Sequence, residues 1–257
     1  MNLWQKHEVK LLDASTVPYR LAFDENVPTP TLDARVAAWR DAKGQPFPKR
    51  DMLPHRVGIS SFYPTRLGSF SESERGVICC FPVTWAQYVL MSRGDVREAL
   101  PLEEHFNVLT VNCLVRTSDD LLVLASRSKG QSHFGGMLHT SAAGYCDLNL
   151  AMETRTPLLQ CLVELQEELN VLSCDVRFVK QLGLALQLPR DSAAEEVCFY
   201  AEVNLSAKEV LARATTAKDS WEGKVGAFSE SEVRRMLDTE KFLPTGAATL
   251  MLLFGIE

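Results

Sequence analysis

No stretch of this chain is apolar for long enough to cross a bilayer. The longest greasy run, Ala247 to Ile256, is about half of what a spanning helix needs. The opening residues, MNLWQKHEVKLLD, lack the apolar segment of a secretion signal. Lys and Arg form no run, and the formal net charge is −6, so neither a nucleic-acid duplex nor an anionic membrane is expected as the main partner. Free nucleotides stay open, because they need only a local site. The seven cysteines are an odd number without a CxxC, and Cys79 and Cys80 are adjacent. That pattern excludes a disulfide framework or a zinc site as the first expectation and suits reduced thiols in a soluble cytoplasmic protein.

At 257 residues the chain is long enough for a substantial core in one large domain or two small ones. Its character changes near residue 105. Eight of the twelve prolines lie before residue 83, so the first part is expected to turn often and to hold few long helices. Val9 to Leu12, Tyr19 to Phe23 and Val77 to Phe81 read as strands. Thr31 to Lys43 reads as a helix capped by Thr31 and stopped at Gly44. Thr84 to Leu90 is ambiguous, and Gln45 to Arg75 is expected to be mostly irregular. Residues 1–104 are therefore taken as an N-terminal α+β subdomain, and residues 105–257 as a second domain.

In the second part the pattern is regular. Leu109, Val111, Cys113 and Val115 alternate as in a strand, Ser118-Asp119-Asp120 is a turn, and Leu121 to Ser126 returns. Val176 to Leu188, with Gly183 as a candidate bulge, and Glu196 to Val203 are further strands. Ser206 with Glu209, and Ser229 with Glu232, are capping boxes that start helices near Ala207 and Glu230. Thr245 is a candidate cap for a last apolar helix reaching Phe254.

Between these strands lies the stretch AAGYCDLNLAMETRTPLLQCLVELQEELNV, Ala142 to Val171. It reads as a small-residue turn and a polar loop leading into a helix, with Thr156 as cap and Pro157 as first helical residue. Leu158, Leu162, Leu165 and Leu169 form one stripe of that helix. Glu164, Glu167 and Glu168 are i, i+3 and i+4 neighbours on another, so three like charges crowd together. A plain solvated face is the ordinary use of such a pattern. The specific one is to hold a hard divalent ion, which takes carboxylate oxygens and keeps places for water and phosphate.

VELQEELNV, preceded by a glycine-containing loop, resembles a degenerate Nudix box, G-x₅-E-x₇-R-E-U-x-E-E-x-G-U. Matched without gaps, Glu164 falls on the glutamate of the R-E pair, Glu167 and Glu168 on the E-E pair, and Leu165 and Val171 on the bulky apolar positions. Asn149 stands at the first glycine, Arg155 at the loop glutamate, Val163 at the arginine and Asn170 at the last glycine. In the family the loop glutamate and the arginine form a salt bridge that braces the loop, and here both are absent. A longer loop would restore a glycine at Gly144 and a carboxylate at Glu153. Asn170 is a mild change, because Asn tolerates a left-handed helix end.

The resemblance, covering roughly residues 105–257, implies an α/β fold, a Nudix-type α/β/α sandwich with a mixed sheet. It also implies a Mg²⁺-dependent (or Mn²⁺-dependent) hydrolase of a nucleoside diphosphate linked to another moiety, with a nucleotide sugar as one such compound. Glu164 and Glu168 are then the catalytic candidates, and Glu164, Glu167, Glu168 and Glu196 the metal ligands. Glu195 and Glu202 are the alternatives to Glu196. Arg127, Lys129 and His139 are the substrate-binding candidates, with His105, His133 and the Gly135-Gly136 turn as weaker ones. Cys146 and Cys161 read as small core residues. The competing function is a Nudix-fold module that binds a nucleotide-like ligand, or regulates, without cleaving. The retained glutamates favour the hydrolase, and the missing brace favours the module. A homodimer formed through the N-terminal segment is a further expectation.

Overall fold

The computed structural model describes residues 9–12, 20–23, 30–43, 56–60, 77–101, 104–129, 134–187, 194–220 and 223–256. Its centre is strand β5, Phe106–Arg116, of which the first ten residues are buried. One edge of β5 runs parallel to β10, Ala194–Val203, from Val108↔Ala194 to Arg116↔Glu202. Its other edge is divided among three antiparallel partners. Strand β3, Arg56–Ser60, takes residues 106–108, β8, Ala142–Tyr145, takes 110–113, and β6, Leu122–Arg127, takes only Val115 and Arg116.

The remaining strands extend this frame. Strands β1, Val9–Leu12, and β9, Val176–Gln187, continue the sheet beyond β10, while β4, Val77–Val83, and β2, Arg20–Phe23, continue it beyond β3. Strands β7, Leu138–His139, and β11, Gly223–Phe228, flank β6. Because β3 bonds directly to β5, a single mixed sheet runs across residue 105.

Side-chain alternation along β5 and β10 builds a core on each face. Leu109, Val111, Cys113, Val115, Val197 and Phe199 pack beneath the glutamate helix, whose buried stripe is Cys161, Leu165 and Leu169. Leu165 and Leu169 are fully buried, each contributing roughly 1.5–3 kcal/mol relative to exposure. Leu114, Cys198 and Tyr200 face the other way, under α8, Pro244–Phe254, and α7, Glu230–Thr239. On that same face Phe106 and Val108 pack with α1, Pro30–Lys43, α2, Trp85–Met91, and α3, Gly94–Glu98. Helices on both faces of a mixed sheet make the expected α/β sandwich, consistent with a Nudix-type fold.

Local signals held where the chemistry is local. Both serine capping boxes form, starting α6, Ala207–Ala214, and α7. The register shifts between Cys198↔Gly183 and Phe199↔Gln181, so the bulge falls at Leu182, one residue before the Gly183 expected. The ambiguous 84–90 segment is a helix, fixed by a Thr84–Gln87 capping box. Several expectations need correction. The last helix begins at Pro244, and Thr245 lies buried within its first turn rather than capping it. The polar loop after β8 contains helix α4, Leu148–Thr154, capped by Asp147, and residues 223–228, where the sequence pattern predicts no strand, form β11. Finally, Thr31 does not cap α1. The amides of Thr31 and Leu32 donate to the Glu104 carboxylate at 3.0 and 2.8 Å, so a buried acid more than seventy residues away neutralises the helix N-terminus. Gly44 lies outside the described residues.

Burial opposes the Glu104 charge, but the bonds from Thr31 and Leu32 outweigh it and hold the carboxyl below its usual range. Such a group contributes stability above its unfolded-state value and loses it as pH falls through the folded one. Glu104→Ala is therefore expected to cost about 1–2 kcal/mol near neutral pH, as a lost cap does. Denaturant melts across the acid limb should show the difference from the parent narrowing as pH falls.

Candidate active site

The glutamate helix is α5, Leu158–Leu169. The expected start is corrected by one residue: the helix begins at Leu158, with Pro157, at φ −74°, in the cap position and no side-chain cap bond there. Thr156 lies before it, its Oγ1 accepting the Leu158 amide at 3.3 Å. Asn170 closes the helix in the left-handed region at φ 53°, as its short polar side chain permits. The three carboxylates then part company. Glu168 reaches strand β8, where its Oε1 accepts the Ala143 amide at 2.7 Å. Glu164 lies over the next residue, Gly144. A Cβ at that position would sit 2.1 Å from the Glu164 carboxylate, so the missing side chain is what makes room for it. Glu167 turns instead to the segment after α6, where Lys218 Nζ donates to its Oε1 and the Asp219 amide donates to its backbone oxygen at 2.9 Å. The Glu167 carboxylate in turn raises the Lys218 ammonium above its usual value. Among the described residues no three carboxylates, imidazoles or thiols converge as a metal site.

A different brace replaces the missing salt bridge. Gln160 is buried and bridges loop to helix, donating from Nε2 to Glu164 Oε1 at 2.7 Å and accepting the Asp147 amide at 3.0 Å. Arg155, which the ungapped box match sets at the loop-glutamate position, ends α4 in the left-handed region and faces the N-terminal strand β2. Its carbonyl accepts the Leu21 amide at 2.9 Å, and its guanidinium stacks 5.0 Å from the Phe23 ring centre. The glycine that the site uses is Gly144, and Glu153 lies exposed on α4.

Beside Glu168 opens a cavity of about 40 Å³, lined by Arg127, His139, Thr140, Asp219 and Ser220 among others. Arg127 and His139, both singled out from the sequence, thus share a cavity with Glu168. Lys129 is exposed and does not line it. His139 is buried, and its Nδ1 accepts the Thr140 amide at 2.7 Å, which leaves the ring proton on Nε2. Burial holds this imidazole below its usual range, with Arg127 adding to that effect and Glu196 opposing it.

Glu196 is placed apart from the helix glutamates. It alternates with Val197 and Phe199, which pack under α5, and so faces the α8 side of the sheet. There its Oε1 is 3.9 Å from His139 Nε2, while its buried Oε2 has no hydrogen-bond partner among the described residues. Glu195 points the other way and takes a 2.7 Å bond from Asn107. Burial pushes its carboxyl up to about 7, against the pull of that bond and of Arg97. Glu202 is engaged by Arg177 and by the Tyr200 hydroxyl. His105 lies 3.2 Å from the Leu100 carbonyl, and Cys146 and Cys161 are buried core residues. Gly136 turns at φ 79° with its amide on the Arg127 carbonyl, while His133 lies outside the described residues.

No protein-family model and no curated relative matches the chain. Two of the solved structures that are similar to part of it serve as examples. DR0079 from Deinococcus radiodurans is 16% identical, covering 57% of this chain and 82% of that one, with a TM-score of 0.40. The Nudix domain of Shewanella oneidensis NrtR, complexed with ADP-ribose, is 18% identical, covering 58% and 87%, with a TM-score of 0.41. Likeness at this level carries no argument about chemistry.

Sequence reasoning missed Gln160, Lys218, Asp219 and Ser220. Only Gln160 left a local signal, four residues before Glu164 on the same helix face. Gly144 is the sharpest test of the geometry. Gly144→Ala is allowed by the backbone and displaces only the flexible end of Glu164, so the melting temperature should shift by no more than a few degrees. Divalent-ion affinity, followed by calorimetry with Mn²⁺, should fall about 10-fold or more because Glu164 no longer lies against β8. Unchanged affinity would remove Glu164 from the site.

Proposed function

We propose that this protein is a Mg²⁺-dependent hydrolase of the pyrophosphate bond in a nucleoside diphosphate linked to another moiety. The observation that carries the reading is the placing of Glu164 and Glu168, one helical turn apart, against Gly144 and Ala143 of β8, with Glu168 and Arg127 on one cavity. The donor chemistry fits the ion. Two carboxylates provide hard oxygens, and the glycine leaves room for one of them at the strand edge. Glu164 and Glu168 would hold Mg²⁺, which supplies charge neutralisation and acidifies a water in this chemistry.

The chain's own residues account for the rest. Arg127 neutralises phosphate charge and holds it beside Glu168. Glu164 or Glu168 takes the proton as water attacks phosphorus. The bond from that phosphorus to the bridging oxygen breaks, leaving a nucleoside monophosphate and the phosphorylated moiety. Thr140 and Ser220 offer hydroxyls to the same cavity. His139 stays neutral there and is a hydrogen-bonding group rather than a cation.

A second reading, a Nudix-fold module that binds a nucleotide without cleaving it, draws on one feature. Each of the three glutamates already has a protein partner, in Gln160, Lys218 or the Ala143 amide. Phosphate-coupled turnover on nucleotide sugars, dinucleotides and nucleoside triphosphates, with Mg²⁺, Mn²⁺ or chelator, separates the two. Glu168→Gln should lower turnover by about 10²-fold or more with the fold intact, and Val163→Ala should be nearly silent. Full activity in the glutamine variant would sink the hydrolase site. Thermal stabilisation by a nucleotide without turnover would favour the module.

A further inference from the structure

Glu167 is the residue whose surroundings depart most from the role that the box resemblance gives it. Glu164 and Glu168 both reach β8, but Glu167 is held at two points by the segment that follows α6. Lys218 takes its carboxylate, and the Asp219 amide takes its carbonyl. The next residue, Ser220, and Asp219 itself line the cavity beside Glu168. On the helix, Glu167 lies about 100° around from Glu168, so its carboxylate can serve this segment while Glu168 serves the strand.

We propose that Glu167 is a positioning residue and not a metal ligand: with Lys218 it latches the 215–220 segment so that Asp219 and Ser220 close the substrate cavity. The inference rests on the hydrolase reading for its consequence, though the latch itself does not. Two physical points support it. A carboxylate already neutralised by a tethered ammonium relieves part of the repulsion among three glutamates, leaving two to attract an ion. The salt bridge alone would be worth little at an exposed position, with Lys218 68% exposed, but the backbone bond one residue on fixes the same segment in the same register. The amide brings Asp219 to the helix, and the ion pair sets which way the segment turns.

Three alternatives differ in what they predict. If Glu167 is a ligand, Glu167→Gln weakens Mn²⁺ binding as much as Glu164→Gln does, about 10-fold or more. If Lys218 competes with the ion, Lys218→Ala tightens Mn²⁺ binding by a similar factor. If Glu167 is the latch, both variants bind Mn²⁺ within about twofold of the parent, as expected for loss of an exposed pair. The latch reading also requires Lys218→Ala to speed amide hydrogen exchange at Asp219 and Ser220 by about two- to fivefold and to raise KM with little change in kcat. The decisive measurement is calorimetric Mn²⁺ titration of the full-length parent, Glu164→Gln, Glu167→Gln, Glu168→Gln and Lys218→Ala proteins, followed by exchange at those two amides.

Unchanged metal affinity in Glu167→Gln, weakened affinity in Glu164→Gln and faster exchange in Lys218→Ala are the expected results. Weakened affinity in Glu167→Gln, tightened affinity in Lys218→Ala, or unaltered exchange would each overturn the proposal. Should Glu164→Gln and Glu168→Gln leave Mn²⁺ binding untouched, the hydrolase reading fails, and the exchange result still decides the latch.

Discussion

Three glutamates within five consecutive helical positions repel one another, and the surroundings of α5 relieve that repulsion at each of them. Glu164 receives the Gln160 amide and the space left open at Gly144, Glu168 receives the Ala143 amide, and Glu167 receives Lys218. The helix can carry this charge because its adjoining stripe, Cys161, Leu165 and Leu169, is fully buried on β5 and β10. Burial of that stripe fixes the helix, and a fixed helix aims each carboxylate at a different neighbour.

Strand β5 makes the aim possible. Its free edge is shared by β3, β8 and β6 in succession, which leaves β8 only four residues long and places it under the helix. A longer β5–β6 hairpin would occupy that edge and remove the seat for Glu164 and Glu168. The N-terminal elements reinforce the same place. Leu21 and Phe23 of β2 hold Arg155 at the start of the loop into α5, and the Tyr88 hydroxyl lies 2.8 Å from that of Tyr145, next to Gly144. The bracing role is thus shared by Gln160, within the box, and by contacts from outside it.

Much of the architecture was legible because its signals are short in range. The alternation from Leu109 to Val115, the two serine capping boxes, the left-handed Asn170 and the bulge next to Gly183 each depend on residues within one turn or one strand pair. Thr31 and Thr245 misled for the opposite reason. A helix N-terminus needs an acceptor but does not specify its source, and Glu104 supplied it for α1 from a distant position. Strand β11 escaped notice because Gly223 to Phe228 holds two glycines and little apolar alternation, and its pairing with β6 is purely tertiary.

The candidate site divides along the same line. The sequence by itself determined the helix, its left-handed end at Asn170 and the one-sided crowding of Glu164, Glu167 and Glu168, since 3.6 residues per turn leaves no other arrangement. It also brought forward Arg127, His139 and Gly144, which the fold gathers near Glu168 and Glu164. Only the tertiary structure decided which partner each carboxylate meets. It sent Glu196 to the far face of the sheet and brought Lys218, 51 residues along the chain, and its neighbour Asp219 to Glu167. Helical periodicity is a property of neighbours in the chain, whereas a partner is chosen by which surfaces must be buried together.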